Sequence, residues 1–258
     1  THTERRRAES FGEDAALYDR ARPDYPASLV ADLTGGRTLD VLDVGCGTGK
    51  AARAFAAAGC RVLGVEVDER MAAVARAAGV QVEVGRFEEW DPAGRRFDLV
   101  VAGQAWHWVD PEVAPARAAG CLREGGALAP FWNYRNPPLD PDDPFRRAET
   151  DLYRRIAPGL VPESGVVGLF DYAGDLDRRV ASVEASGRFE PVGLRAYPWS
   201  ETLSNDAWLD RVGTQSEHRL LDPAVRAELF EALRKLYAAH GDSVQIAYTT
   251  YCIVARRR

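Results

Sequence analysis

A chain of 258 residues, 46% hydrophobic, 28% charged and 9% aromatic, carries enough apolar material for one large domain or a domain with a cap, which excludes disorder, collagen and coiled coil. Its net charge of -6 offers no footprint for DNA, RNA or an anionic bilayer, so a small neutral or cationic ligand is the expected partner. Cys46, Cys60, Cys121 and Cys252 are widely spaced and form no Cys-x-x-Cys pair; neither a metal site nor a disulfide framework is expected, and a reducing, cytoplasmic setting is the default. No run approaches the roughly 18 apolar residues of a membrane span, and the first residues do not match a secretory or transit peptide.

In chain order, 11–22 reads as a helix ending before Pro23. Apolar runs then alternate with amphipathic ones: strands over 38–44, 61–66, 80–84, 97–103 and 127–132, helices over 48–58, 69–78 and 111–122. The run Asp98-Leu99-Val100-Val101-Ala102 is nearly continuous in apolar residues, as in a strand buried on both faces, and Gly125-Gly126 reads as the turn into the fifth strand. The stretch 133–144 is rich in proline and acids and leads out of the sheet. Segment 145–187 reads as helical, interrupted at Gly159, Gly165, Gly168 and Gly174, and has no strand pattern. β-branched and aromatic residues return over 189–197 and 243–255, with helices near 205–212 and 223–240 between them. The expectation is an α/β fold: a doubly wound, mostly parallel, Rossmann-like seven-stranded sheet with a helical cap insertion.

The most informative segment is VLDVGCGTGK, residues 41–50, at the first strand-to-helix turn, where an open α/β sheet places its ligand. Gly45, Gly47 and Gly49 allow a tight turn and close backbone approach to a ligand at the next helix's N-terminus. A dinucleotide fingerprint would need glycine at position 50, where Lys50 stands, and a phosphate-binding P-loop would need a hydroxyl residue at Ala51. Hydride transfer with NAD and nucleoside triphosphate chemistry are both disfavoured. Asp43, a carboxylate at the end of a buried strand, needs a polar partner that a cationic ligand group would supply. Glu66, twenty-one residues after Gly45, ends the second strand where an acid accepts from both ribose hydroxyls.

Together with VLGVEVDERM at 62–71, VGRFEEW at 84–90 and FDLVVAGQAWHWVD at 97–110, this loop resembles the class I S-adenosylmethionine-dependent methyltransferases over residues 10–135. The run YDRARPDYP at 18–26 and the Ala-Trp-His-Trp run resemble, more narrowly, the small-molecule methyltransferases grouped with trans-aconitate methyltransferase. The resemblance implies S-adenosylmethionine as cofactor and S-adenosylhomocysteine as product. It places Gly45, Cys46, Gly47 and Gly49 against the methionine part, with Asp43 near its amino group. It puts Glu66 on the ribose, Val67 and Met71 beside the adenine, and Phe87 with Glu88 over its other face and edge. Gln104 and Ala105 would lie beside the methionine, and Tyr18, Arg22 and Tyr25 would close over it, Arg22 toward the carboxylate. One position departs from the pattern: Arg86 stands where relatives often place an acid near the adenine amino group.

The implied division is a single methyltransferase domain over 1–258: an N-terminal helical segment over the cofactor (1–36), a cofactor-binding core (37–132), a substrate cap (133–187) and a C-terminal return to the sheet with a helical insertion (188–258). Trp106, Trp108, Trp132, Asn133 and Tyr134 are the expected acceptor-side residues; the tryptophans pack the loop on the sheet or face a sulfonium through cation-π attraction. His107 has two readings. It orients that loop, or it acts as a general base, its ordinary pKa of about 6.5 suiting proton removal from a hydroxyl or amine. His218 and His240 fall on polar helical stretches and are expected at the surface. The function expected is methyl transfer to a small-molecule oxygen, nitrogen or carboxylate acceptor, without nucleic acid or membrane. A non-catalytic binder of the same cofactor and an NAD-dependent oxidoreductase are the alternatives.

Overall fold

The computed structural model describes residues 14–136, 143–161 and 172–258. Two helices, α1 (Ala15–Ala21) and α2 (Ala27–Thr34), precede the sheet. The first half then alternates β1 (Asp40–Val44), α3 (Lys50–Ala57), β2 (Arg61–Glu66), α4 (Glu69–Ala77), β3 (Gln81–Val84), β4 (Phe97–Gly103), α5 (Ala114–Cys121) and β5 (Leu122–Arg135). The second half adds α6 (Pro144–Ile156), α7 (Tyr172–Ala185), β6 (Gly193–Ser204), α8 (Asn205–Gly213), α9 (Ser216–Arg219), α10 (Pro223–Ala238) and β7 (Ser243–Arg256). The seven strands lie in the order β3-β2-β1-β4-β5-β7-β6. β1 to β5 pair in parallel, and β7 runs antiparallel to both β5 and β6.

The order reverses between β1 and β4, which opens a crevice at the carboxyl ends of those two strands. Apolar residues of the parallel strands fill both faces. Leu42, Val44, Val100 and Leu128 pack with α5 and with Leu176 and Val183 of α7 on one side. Val41, Leu99, Val101 and Phe131 pack with Leu29, Val30 and Phe55 on the other. A separate apolar cluster lies beyond the Rossmann-like core, where Tyr153, Trp208, Leu209, Leu229, Leu233 and Tyr237 from α6, α8 and α10 gather on Ile246 and Tyr248 of β7. The helical layer therefore draws on 144–156 and on 205–238, whereas α7 packs back on the sheet.

Several sequence expectations need correction. β5 begins at Leu122, because Gly125 at φ 72° and Gly126 form an irregularity inside a continuous strand rather than a turn into it. β6 runs on to Ser204, paired residue for residue with β7. Gly174 lies within α7, and α2 was not expected. His218 is buried at 6% exposure and its Nε2 lies 2.8 Å from the Tyr153 hydroxyl; burial lowers its pKa to about 4 and keeps it neutral. His240 is exposed. Residues 11–13, Gly165 and Gly168 lie outside the described residues. Among those described, no helix is long and apolar enough to cross a membrane.

Candidate active site

The loop between β1 and α3 is shaped by its glycines. Gly45, Gly47 and Gly49 take φ of 65°, 56° and 84°, a region where L side chains are strained. Space adds a second constraint, since a Cβ on Gly45 would lie 2.7 Å from the Ala105 Cβ, and one on Gly49 would lie 3.1 Å from that of Ala75. The loop is thus clamped between the end of β4 and α4. Cys46 lies over β2, where a Cβ at Gly64 would meet its Sγ at 2.5 Å.

Asp43 is fully buried, and neither carboxylate oxygen has a hydrogen-bond partner. Burial raises its pKa to about 8; nearness to the Ala52 N–H offsets part of this, and the Glu66 charge adds to it. A buried acid held neutral and unsatisfied at the carboxyl end of β1 is costly unless a ligand completes it. Glu66 is also buried, but its oxygens accept from the backbone N–H groups of Gly47 at 2.8 Å and Asp68 at 2.9 Å. Burial still holds its carboxyl above the usual range, with those bonds pulling the other way. Beside it, Val67 is 58% exposed, and Val84, which pairs with Glu66 at the end of β3, 43%, an apolar ledge at the carboxyl end of the sheet. Met71 and Phe87 are buried, and Phe87 lies 6.2 Å from Trp106 in the core. Glu88 accepts from the Asp110 N–H at 2.9 Å, with Arg86 3.9 Å away.

On the other side of the loop a cleft of about 460 Å³, partly open to solvent, is lined by Tyr18, Arg22, Tyr25, Cys46, Gly47, Gln104 and Asn133, with Pro23, Thr48, Lys50 and Ala51. Seven of the expected residues therefore meet in one place. Asp43, Gly45, Gly49 and Ala105 lie behind that lining, Trp106, His107, Trp108, Trp132 and Tyr134 do not line it either, and Glu66, Val67, Met71, Phe87 and Glu88 lie outside it, on the β2–β3 side of the glycine loop. The segment over the cleft is tethered by ion pairs of Arg53 with Asp19 and Lys50 with Asp24, both at 2.8 Å. Asn133 Nδ2 donates to the Asp24 carbonyl at 3.0 Å, and its Oδ1 accepts from Thr250 at 2.6 Å. Gln104 takes φ 58°, an uncommon conformation for a non-glycine residue, held by its N–H to the Phe131 carbonyl and its Nε2 to the Asn133 carbonyl.

Tyr25 packs edge-on against Phe131 at 4.7 Å between ring centres. Its burial pushes the phenol well above its ordinary pKa, so it enters the cleft as a neutral hydroxyl. A Cβ on Gly103 would lie 2.6 Å from the Tyr25 hydroxyl and 2.9 Å from Phe131. Gly103→Ala is therefore expected to expel Tyr25, costing about 1–3 kcal/mol of stability and weakening ligand binding; paired thermal melts and calorimetric titrations check both.

The loop after β4 forms a short 3-10 turn over Trp106–Trp108. Trp106 is buried in the core. His107 lies 4.7 Å from Trp108, and the Trp132 indole N–H donates to His107 Nδ1 at 3.2 Å. An indole nitrogen only donates, so Nδ1 accepts and the neutral ring carries its proton on Nε2. Trp132 is buried and is covered by the Arg179 guanidinium at 4.4 Å. Arg179 pairs with Asp175, which also accepts from the Tyr134 hydroxyl at 3.0 Å. Trp132 and Tyr134 thus face α7, while Asn133 faces the cleft.

The sequence reading missed the residues that hold the lid. Lys50, Asp24, Asp19 and Arg53 carry no local pattern, because charge pairs between segments leave no period in the sequence. The strain at Gln104 is equally silent there.

The methyltransferase domain family matches residues 41–126, the stretch that builds the glycine loop, the ledge and the turn after β4. An uncharacterized methyltransferase of Mycobacterium tuberculosis is 32% identical over 95% of each chain. Demethylmenaquinone methyltransferase of Clavibacter sepedonicus is 27% identical over 77% of this chain and 74% of its own. Among solved structures, a protein described as a type II methyltransferase from Anaeromyxobacter dehalogenans superposes with a TM-score of 0.61 at 24% identity, over 91% of this chain and 97% of the other. With the full-length likeness to the mycobacterial protein, the matched domain and the seven-stranded sheet, the chain belongs to the class I S-adenosylmethionine-dependent methyltransferases and is an enzyme of that family.

Proposed function

We propose that the glycine loop and the cleft beneath α1 bind S-adenosylmethionine, and S-adenosylhomocysteine after transfer, and that the methyl group passes to a small-molecule oxygen, nitrogen or carboxylate acceptor. The observation that carries this is Asp43: a buried carboxyl near the end of β1 with both oxygens unsatisfied, behind a glycine loop whose Cys46 and Gly47 line the cleft. Its carboxylate would accept from the amino group of the methionine part, with Gly45, Cys46, Gly47 and Gly49 along that part and Gln104 and Ala105 beside it. Arg22, which lines the cleft, would meet the carboxylate. Glu66 would take the ribose hydroxyls on its remaining lone pairs, and the adenine would lie on Val67 with Met71 beneath and Phe87 and Glu88 at its far side.

The bound donor supplies a methyl group already activated on a cationic sulfur, so the chain's own contribution is proximity and orientation. Tyr18 and Tyr25 close over the cleft and exclude water. On the acceptor side Asn133 and Trp108 would shape the site, with Trp106, Trp132 and Tyr134 as the packed layer behind them. The hydrogen bond from Trp132 leaves His107 Nε2 a donor, which suits orienting an acceptor oxygen better than taking its proton.

Transfer of a labelled methyl group from S-adenosylmethionine to a panel of small carboxylic acids, phenols and amines tests the reading. One acceptor class should be labelled. With that acceptor, His107→Ala should leave donor affinity nearly unchanged and cost about tenfold or less in turnover; a loss beyond about a thousandfold would restore the general-base role. A panel in which nothing is labelled, with donor bound, would remove the small-molecule acceptor.

A further inference from the structure

A single buried guanidinium joins the helical layer to the cleft. Arg211, in the last turn of α8, is buried. Its Nε donates to the Ala21 carbonyl at 2.5 Å, its Nη1 to the Tyr248 hydroxyl at 3.1 Å, and its Nη1 and Nη2 to the two oxygens of Glu201, Nη2 at 3.2 Å. Four elements therefore meet on one side chain: α8 that carries it, the end of α1, β6 and β7. The next residue after Ala21 is Arg22, whose Nη2 donates to the Thr214 carbonyl at 2.8 Å. Thr214 is fully buried, and both its N–H and its hydroxyl return to the Arg211 carbonyl, at 3.1 and 2.7 Å. A cation on the carbonyl at a helix C-terminus is also favoured by the helix dipole.

The two ties act on adjacent residues of the lid and arise from the same turn of α8. The backbone at Ala21 is pinned by Arg211, and the side chain at position 22 is seated by the carbonyl three residues further along. We propose that Arg211 is a positioning residue for the donor site: it holds the end of α1 against the helical layer and thereby sets where Arg22 stands in the cleft. The carrier of Arg211 also packs Trp208, Leu209 and Val212 into the layer's own core. A change in that layer, such as one made by an acceptor seated against it, is transmitted to the donor cleft through this clasp. The inference rests on the cleft being the donor site.

Removing Arg211 alone leaves Glu201 unpaired in a partly buried position, which by itself destabilises. The test therefore uses Arg211→Met with Glu201→Gln in one chain, which removes both charges and keeps the volume, alongside Arg22→Ala and the triple variant. Each is titrated with S-adenosylhomocysteine by calorimetry, with folding checked by circular dichroism and a cooperative melt. The expected result is a folded Arg211→Met/Glu201→Gln protein whose affinity falls by about tenfold, and a triple variant no weaker than Arg22→Ala by more than about twofold, because the two changes act through one contact. Unchanged affinity in the folded double variant, or losses that simply multiply in the triple, would overturn the positioning role while leaving the donor site standing. If Arg22→Ala itself binds like the wild type, the role of Arg22 in the donor cleft fails and the clasp fails with it. Should the double variant not fold, Arg211→Lys, which keeps a charge for Glu201 but lacks the fork that also reaches Ala21, must show the same loss, and wild-type affinity there would overturn the proposal.

Discussion

Asp43→Asn will weaken S-adenosylhomocysteine binding by about a hundredfold while making the ligand-free protein more stable at pH 8, the first because a buried charge pair is lost and the second because an unsatisfied acid is removed. The sign follows from linkage. In the unfolded chain Asp43 ionises near the ordinary aspartate value of 3.8, and in the fold at about 8. Between those values the folded state binds more protons than the unfolded one, so this group's contribution to stability falls as pH rises from about 4 to about 8. Asparagine does not titrate. Wild type and variant should therefore melt close together near pH 4, and the variant should gain up to about 5 kcal/mol over wild type by pH 8. Thermal or urea unfolding of both proteins across that range is the measurement, and parallel curves at constant separation would refute the orphan-carboxyl picture.

Glu66→Ala should behave in the opposite way. Both acids are buried at the carboxyl ends of neighbouring strands, yet Glu66 satisfies the N–H groups of Gly47 and Asp68, whereas Asp43 satisfies nothing. Truncation strands two backbone donors and releases the glycine loop from β2. A loss of about 2–4 kcal/mol in stability is expected, together with at least thirtyfold weaker donor binding once the ribose contact is also lost. Equal stability of wild type and Glu66→Ala would mean that the loop is held by its glycine packing alone. The pair of experiments separates an acid that builds the site from one that waits for the ligand.

The same contrast marks what was legible beforehand. Strands β1, β2 and β4 could be bounded to within a residue or two because near-continuous apolar runs ending in glycine or an acid have few other uses in a soluble fold. The glycine loop, Asp43 and Glu66 were readable from spacing, since a turn needing positive φ and a strand-end acid are both local features. β6 was bounded too short because it lies at the sheet edge, with Leu194 exposed and Pro198 within it, so no apolar run extends along its length. His218 looked like a surface residue because its partner, Tyr153, lies 65 positions away. Arg211 reaches Ala21 across 190 positions, a separation at which neither periodicity nor a motif leaves any trace. The glycine loop and its two acids are thus written locally, and the contacts of Arg211 only in three dimensions.

Whether Asp43 is the group that meets the donor can be decided by proton counting. Titrating the full chain with S-adenosylhomocysteine near pH 7, in two buffers of different ionisation enthalpy, gives the protons exchanged on binding. Asp43 is mostly neutral in the ligand-free protein at that pH and must ionise to pair with the ligand's ammonium, so wild type should release close to one proton (~0.9 from a pKa about one unit above the buffer), and Asp43→Asn should release none. Equal proton release by the two proteins, or binding of equal strength in both, would contradict the assignment of this cleft.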